Sequence, residues 1–260
     1  MKWTTVNDYR HMSDYGADRL FRAVTARLDA GLPCNLGLAT GNTMILLYEL
    51  LADRLNQAGT DLSRLHTFNL DEYVANDRVS PVPASHPLSY ASYMHQNLFS
   101  RLRPERHFDE ATQAHFPAPA HPDDFDRTLA DAGNLDLQLL GIGFNGHIAF
   151  NEPMSPDDIS PEDFAQLPTR VIALKELTIQ TNARLTADGN LDTVPRYAAT
   201  MGMRQILAAR DILLLACFPE QTDPLSAIRR LDAPTPSLPA SFILNHPHSE
   251  IAYTTDVIAL

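Results

Sequence analysis

Three short stretches hold residues whose types and spacing suit proton transfer on a small anionic ligand. In "LLGIGFNGHIAFNEP" (139–153) an apolar run reaches Gly143, and Asn145, Gly146, His147 and Glu152 follow it closely. An imidazole titrates near neutrality and exchanges protons readily, and Asn145 and Glu152 are spaced to hold the ring of His147 and select its tautomer. A lone loop histidine usually has no catalytic task. Its place among glycines, just beyond a buried strand, is what points to a site.

In "TFNLDEYV" Asp71 and Glu72 follow a strand candidate directly. Successive residues of an extended chain point to opposite sides, so at most one of the two faces a site while the other meets solvent or a cation. A carboxylate at such a strand end can act as general base. Taken alone, the pair reads as solvated loop charge. In "LGLATGNT", Thr40, Gly41, Asn42 and Thr43 join a strand to a helix. Free amides at the helix start, a glycine that admits close approach and two hydroxyls suit a phosphate, although with no lysine and a single glycine the stretch reads equally as an ordinary N-cap turn.

These stretches need elements to position them. Leu20, Phe21, Val24 and Leu28 recur at helical spacing over 14–28, and Gly31-Leu32-Pro33 ends that pattern. "CNLGLAT" reads as a buried strand, and Leu46, Leu47, Leu50, Leu51 and Leu55 then give a helix closed by Gly59. "HTFNL", "DLQLLGIG", "TRVIAL" and "DILLLACF" are further strands, "SYASYMHQNLFSRL" a helix, and "SEIAYTT" an edge strand. Proline-rich and acidic stretches 76–87 and 153–168 read as loops. The alternation predicts an α/β fold: a doubly wound, mostly parallel sheet with helices on both faces, Rossmann-like, forming a single domain over 1–260. Ligands of such sheets collect outside the carboxyl ends of the strands, where all three stretches fall.

Composition limits the partners. The formal charge of −12 would repel a phosphate backbone, and the few cations are scattered, so no nucleic-acid partner is expected. No stretch approaches the roughly 18 apolar residues of a membrane helix, and the first 20 residues lack an export signal's apolar core, so no membrane partner and a cytoplasmic location are expected. Cys34 and Cys217 each lie in apolar runs and read as small buried thiols. No HxH, HxxxH or HExxH spacing surrounds His147 and no G-x-S-x-G occurs, so neither a metal site nor a serine nucleophile is expected.

Together and in this order, "LGLATGNT", "FNLDEYV", "HPLSYASYMHQNLF", "LLGIGFNGHIAFNEP", "VPRYAATMGMRQIL" and "LPASFILNHP" resemble the glucosamine-6-phosphate deaminase (glucosamine/galactosamine-6-phosphate isomerase) family over nearly the whole chain. The resemblance implies a hydrolase/isomerase that takes a small-molecule sugar phosphate and needs no cofactor. His147, oriented by Glu152 and Asn145, would open the pyranose ring. Asp71 would carry the proton from C2 to C1, and the amino group would leave as ammonia. Arg184, in "QTNARLT", matches the family's phosphate-binding arginine, and a homo-oligomer is compatible with the resemblance.

The chain also departs from that pattern. The turn reads "TGNTM", without the second small residue and proline expected there, and Asn145 brings no charge to the imidazole where relatives carry Asp or Asn. The loop after Glu152 is longer than in many relatives. The family's lysine after the "LLLACF" strand is missing from "PEQTDPLSAIRRL", which leaves Arg184 alone or Arg229 or Arg230 to supply the cation. Arg170 alone resembles the allosteric site of regulated relatives, and no allostery is expected. The alternatives are an isomerase for galactosamine 6-phosphate, a 6-phosphogluconolactonase, and a non-catalytic sugar-phosphate sensor.

Overall fold

The computed structural model describes residues 1–260. In chain order the strands are β1 (Lys2–Val6), β2 (Cys34–Leu38), β3 (Leu65–Asn69), β4 (Asp71–Val74), β5 (Ala114–His115), β6 (Leu137–Leu140), β7 (Arg170–Ala173), β8 (Tyr197–Thr200), β9 (Asp211–Ala216) and β10 (Ser249–Thr254). The helices are α1 (Tyr9–Asp29), α2 (Ile45–Ala58), α3 (Tyr90–Asn97), α4 (Glu110–Gln113), α5 (Pro122–Ala132), α6 (Pro161–Ala165), α7 (Glu176–Thr186), α8 (Met203–Leu207) and α9 (Thr222–Arg230). No helix is long and apolar enough to cross a membrane.

Seven strands form one wholly parallel sheet in the order β1-β10-β9-β6-β2-β3-β5. From β2 the chain winds outward through β3 and β5, then returns to β6 on the other side of β2 and winds through β9 and β10. The direction reverses between β2 and β6, and a crevice opens at their carboxyl ends. Every residue of β2 and β6 is buried, so the sheet is covered on both faces, and the continuous apolar runs in the sequence reflect that cover. Gly16 of α1 shows how tight the cover is, because a Cβ there would lie 2.4 Å from Leu47 of α2 and 2.9 Å from Leu215 of β9.

A second sheet is antiparallel, in the order β4-β8-β7. Sequence reading marks only β7, within "TRVIAL", and gives no sign of the other two strands, because they have only four residues each and β8, "YAAT", carries no apolar alternation. The chain crosses between sheets at Leu70, whose N–H donates to the Leu38 carbonyl at 3.0 Å and whose carbonyl accepts from the Met201 N–H at 2.6 Å. A cluster of 49 buried residues fills the space around the large sheet, and a smaller one that includes Tyr73, Phe150, Ile179 and Ala183 joins the small sheet to α7.

Four local expectations are corrected. "SEIAYTT" forms β10, which is interior because the unforeseen N-terminal strand β1 pairs outside it. The first helix begins at Tyr9, where the Asp8 side chain accepts from the His11 N–H, rather than at Asp14. Residues 153–168 include α6, started by Ser160 as N-cap and Pro161 as first residue. Asp71 and Glu72 are not solvated loop charge: they open β4 and are 5% and 3% exposed.

Candidate active site

The crevice at the reversal point is lined by residues 39–43 after β2, Leu70 and Asp71 after β3, 141–145 and His147 after β6, Phe218 and Gln221 after β9, and one face of α7. The 3.6-residue period of Leu177, Thr178, Thr181, Asn182 and Leu185 places them on that face. Sequence reading missed this wall, together with Tyr90 and Tyr93. The helical spacing was the available signal, obscured because the stripe mixes apolar and hydroxyl groups.

After β2 the chain turns at Gly41, whose φ of 115° is a conformation that side chains rarely adopt. Open space surrounds the position where a Cβ would sit, so the backbone angle rather than crowding requires glycine. Tyrosine hydroxyls hold the turn. Tyr48 donates to the Ala39 carbonyl, Tyr93 to that of Gly41 at 2.7 Å and Tyr9 to that of Asn42 at 3.1 Å. The Met44 N–H donates to the Gly41 carbonyl at 3.0 Å and the Leu46 N–H to the Tyr9 hydroxyl at 3.2 Å, so the amides this turn can offer to an anion are those of Asn42 and Thr43 at its start. Thr40, Gly41, Asn42 and Thr43 all line the crevice.

After β6 the chain folds back so that the Gly143 N–H donates to the His147 carbonyl at 3.0 Å. A Cβ on Gly143 would lie 2.2 Å from the His147 ring, so this glycine lets the imidazole rest on the backbone. Gly146, at φ 85°, packs under Leu238 in the same way. Asn145 Oδ1 lies 3.1 Å from the backbone N of His147 and 2.8 Å from its Nδ1, and Asn145 Nδ2 donates to Glu152 Oε2 at 2.8 Å. Glu152 also accepts from the Thr178 hydroxyl at 2.6 Å and the Lys175 N–H at 3.3 Å, which ties this acid to the start of α7. Burial pushes the Glu152 carboxyl up, but the nearby His147 ring, 3.6 Å away, and the hydrogen bonds from Thr178 and Asn145 outweigh it and hold the group down at about 2.

The alternation along β4 separates its two acids. Asp71 faces the crevice, where burial and the neighbouring Glu72 charge push its carboxyl well above the ordinary range. Glu72 points the other way and accepts from the Tyr73, Tyr90 and Ala91 N–H groups at 2.8, 2.9 and 2.8 Å and from the Ser89 hydroxyl at 3.2 Å. It meets neither solvent nor a cation: it anchors the first turn of α3 and so places Tyr90 and Tyr93 in the wall.

Asp71, Asn145 and His147 therefore share one crevice with the Thr40–Thr43 turn, and Glu152 lies directly behind them. Arg184 sits apart. It belongs to α7 at the rim, with its Cζ 5.8 Å from the Phe144 ring centre and its Nη2 3.0 Å from Glu220 Oε1. Arg229 stacks on Trp3 of the edge strand β1, far from the crevice, and supplies no cation there. Half-buried Arg170 donates to Asn151 Oδ1 at 2.9 Å. Cys34 is buried as expected, whereas Cys217 is half-buried, with its thiol 3.7 Å from Thr43 Oγ1 and pushed up to about 11 by burial.

Comparison with known proteins agrees with this architecture. The family model described as glucosamine-6-phosphate isomerases/6-phosphogluconolactonase matches residues 7–253. A glucosamine-6-phosphate deaminase of Geobacillus sp. is 36% identical over 267 residues, covering 100% of this chain and 96% of the relative. One from Rhodopirellula baltica is 40% identical over 219 residues, covering 82% and 78%. A solved structure of a monomeric glucosamine-6-phosphate deaminase superposes with a TM-score of 0.83 at 28% identity, covering 99% of this chain and 98% of that one. A 6-phosphogluconolactonase from Trypanosoma cruzi, at TM-score 0.72 and 17% identity over 98% and 95% of the two chains, shares the fold. The expected label of hydrolase/isomerase narrows to the isomerase and deaminase of these descriptions. With the model matched almost end to end and relatives of this identity over most or all of its length, the chain belongs to the glucosamine-6-phosphate isomerase/6-phosphogluconolactonase family.

Proposed function

We propose that the protein converts glucosamine 6-phosphate and water to fructose 6-phosphate and ammonia. The observation that carries this reading is the convergence of the Asp71 carboxyl and the His147 imidazole on one crevice that the Thr40–Thr43 turn also lines.

The substrate phosphate sits on the amides and hydroxyls of Thr40–Thr43, which fixes the sugar's orientation. His147 moves a proton from the anomeric hydroxyl to the ring oxygen and so opens the pyranose. The carboxylate of Asp71 takes the C2 proton of the open-chain aldehyde and the aldehyde oxygen is protonated, giving an enolamine. Return of that proton to C1, with release of one nitrogen proton to solvent in exchange for the one taken up by the aldehyde oxygen, gives the C2 imine. Water adds at C2, and the carbinolamine collapses to the ketone with loss of ammonia. A general base works best when its proton affinity lies near the working pH, and the raised affinity of Asp71 serves that end.

Residues 1–260 act as one catalytic unit in this reading, because the turn after β2 and helix α7 of the smaller cluster line the same crevice. Both cysteines are unpaired, which suits a reducing compartment, and we place the enzyme in the cytoplasm. Initial rates on glucosamine 6-phosphate, galactosamine 6-phosphate and 6-phosphogluconolactone test the proposal. Preference for the aminosugar with release of ammonia is expected, and preference for the lactone would overturn it.

A further inference from the structure

The crevice contains no arginine or lysine among its lining residues. Arg184 is the cation at its rim: the next residue, Leu185, lines the crevice, and the guanidinium lies over Phe144, which also does. The Leu185 carbonyl accepts from Asn42 Nδ2 at 3.4 Å, which joins this end of α7 to the anion-binding turn. An anionic tail seated on that turn would therefore look to Arg184 for charge. Its Nη2 is engaged instead, 3.0 Å from Glu220 Oε1.

Glu220 is held in that place by its neighbours. It lies in the 3-10 turn Pro219–Gln221, between the lining residues Phe218 and Gln221. Gln221, 2% exposed, accepts from the Cys217 and Phe218 N–H groups at 2.8 and 2.9 Å and donates to the Ile142 carbonyl at 2.7 Å. These bonds tie the turn to the end of β6, while the Phe218 ring meets Phe144 edge-on at 6.1 Å. The acid is thus fixed where the tail's counter-charge is needed.

We infer that Glu220 is a specificity-determining residue, an intramolecular anion that occupies Arg184 in the free enzyme and must yield it to the substrate's phosphate. The inference rests on the proposed function for the identity of that tail. Exchange is feasible because both partners are partly exposed, at 59% and 39% of their side chains, and such pairs are weak. A phosphate dianion presents more charge and a bidentate edge to the guanidinium. After the exchange Glu220 remains close enough to repel the dianion, so it lowers affinity both by competition and by repulsion.

Two readouts on wild type, Glu220→Gln and Glu220→Asp test this: KM and kcat for glucosamine 6-phosphate, and the dissociation constant of inorganic phosphate by calorimetry. Glu220→Gln should lower both KM and the phosphate dissociation constant about three- to tenfold, as expected for removal of one partly exposed charge, with the change in KM rather than kcat. Glu220→Asp should stay nearer wild type. An equal or weaker phosphate affinity in Glu220→Gln, or phosphate binding by neither protein at millimolar concentration, overturns the inference. If wild type releases no ammonia from glucosamine 6-phosphate, the deaminase reading fails by itself, and the calorimetry still decides the role of Glu220.

Discussion

His147 and Glu152 do not touch directly. Nδ1 and Oε2 are 3.6 Å apart, and the Asn145 amide bridges them. Glu152 is ionised and can only accept, so Asn145 must donate to it through Nδ2. The Oδ1 of Asn145 then faces the ring and accepts the proton of Nδ1, which leaves Nε2 as the unprotonated nitrogen for the substrate. In this arrangement the acid sets the ring's tautomer through a neutral relay, and Asn145 does the orienting work without contributing charge. Asn145→Ala should therefore lower kcat on the order of 10- to 100-fold, with a much smaller change in KM, because ring orientation rather than binding is lost. Steady-state kinetics on glucosamine 6-phosphate check this split, and an unchanged kcat would remove the relay from the account.

Gly143→Ala tests the same ring from the opposite side. The new methyl would lie 2.2 Å from His147, so the imidazole must move. The expected result is a loss in kcat of at least about tenfold with the fold retained, checked by kinetics alongside circular dichroism.

Glu152 and Asp71 predict opposite pH dependence of stability. Glu152 titrates in the folded protein at about 2, below the 4.5 of an ordinary glutamate, so its stabilising contribution is complete above pH 4.5 and is lost as the pH falls through 2. Glu152→Gln should lower the melting temperature at neutral pH, and the deficit should shrink on acidification toward pH 2.

Asp71 is raised instead, so its carboxyl costs nothing while protonated in both states, near pH 3. The cost develops as the pH rises above the ordinary value of 3.8 and is complete once the folded group has ionised. Asp71→Asn should raise the melting temperature at pH 7 by a few degrees, in the order of magnitude that removal of one buried charge brings, and by nothing near pH 3. A pH series of thermal melts on both variants reads both signs at once.

The same raised proton affinity shapes the rate profile. A base must be deprotonated to act, so kcat/KM should climb with pH through a limb above the ordinary carboxylate range. A limb at or below pH 4 would contradict the assignment of Asp71 as base.

What the sequence showed of this molecule followed the strength of its periodicities. The buried strands β2, β3, β6 and β9 and helix α2 announced themselves as apolar runs or leucine stripes, and with them came the three loops at strand carboxyl ends, whereas the strand order and its reversal between β2 and β6 did not. Of the antiparallel sheet only β7 did, within "TRVIAL", because the pairing of four-residue strands is specified by partners distant in sequence: Asp71 pairs with Thr200, and Thr200 with Arg170. For the same reason the acid pair at 71–72 read as loop charge, although the opposed directions of the two side chains were legible from the strand period alone. Arg184 was recognisable by resemblance, but its engagement by Glu220 depends on how the Pro219–Gln221 turn is tied to β6, a contact between residues far apart in sequence.

The central claim is that Asp71 carries the C2 proton, and ammonia release measures it most directly. Wild-type protein incubated with glucosamine 6-phosphate should yield ammonia and fructose 6-phosphate in equal amounts. Asp71→Asn, folded and more stable at pH 7, should lose at least about a hundredfold in kcat. Turnover by the Asn variant close to that of wild type would contradict the account.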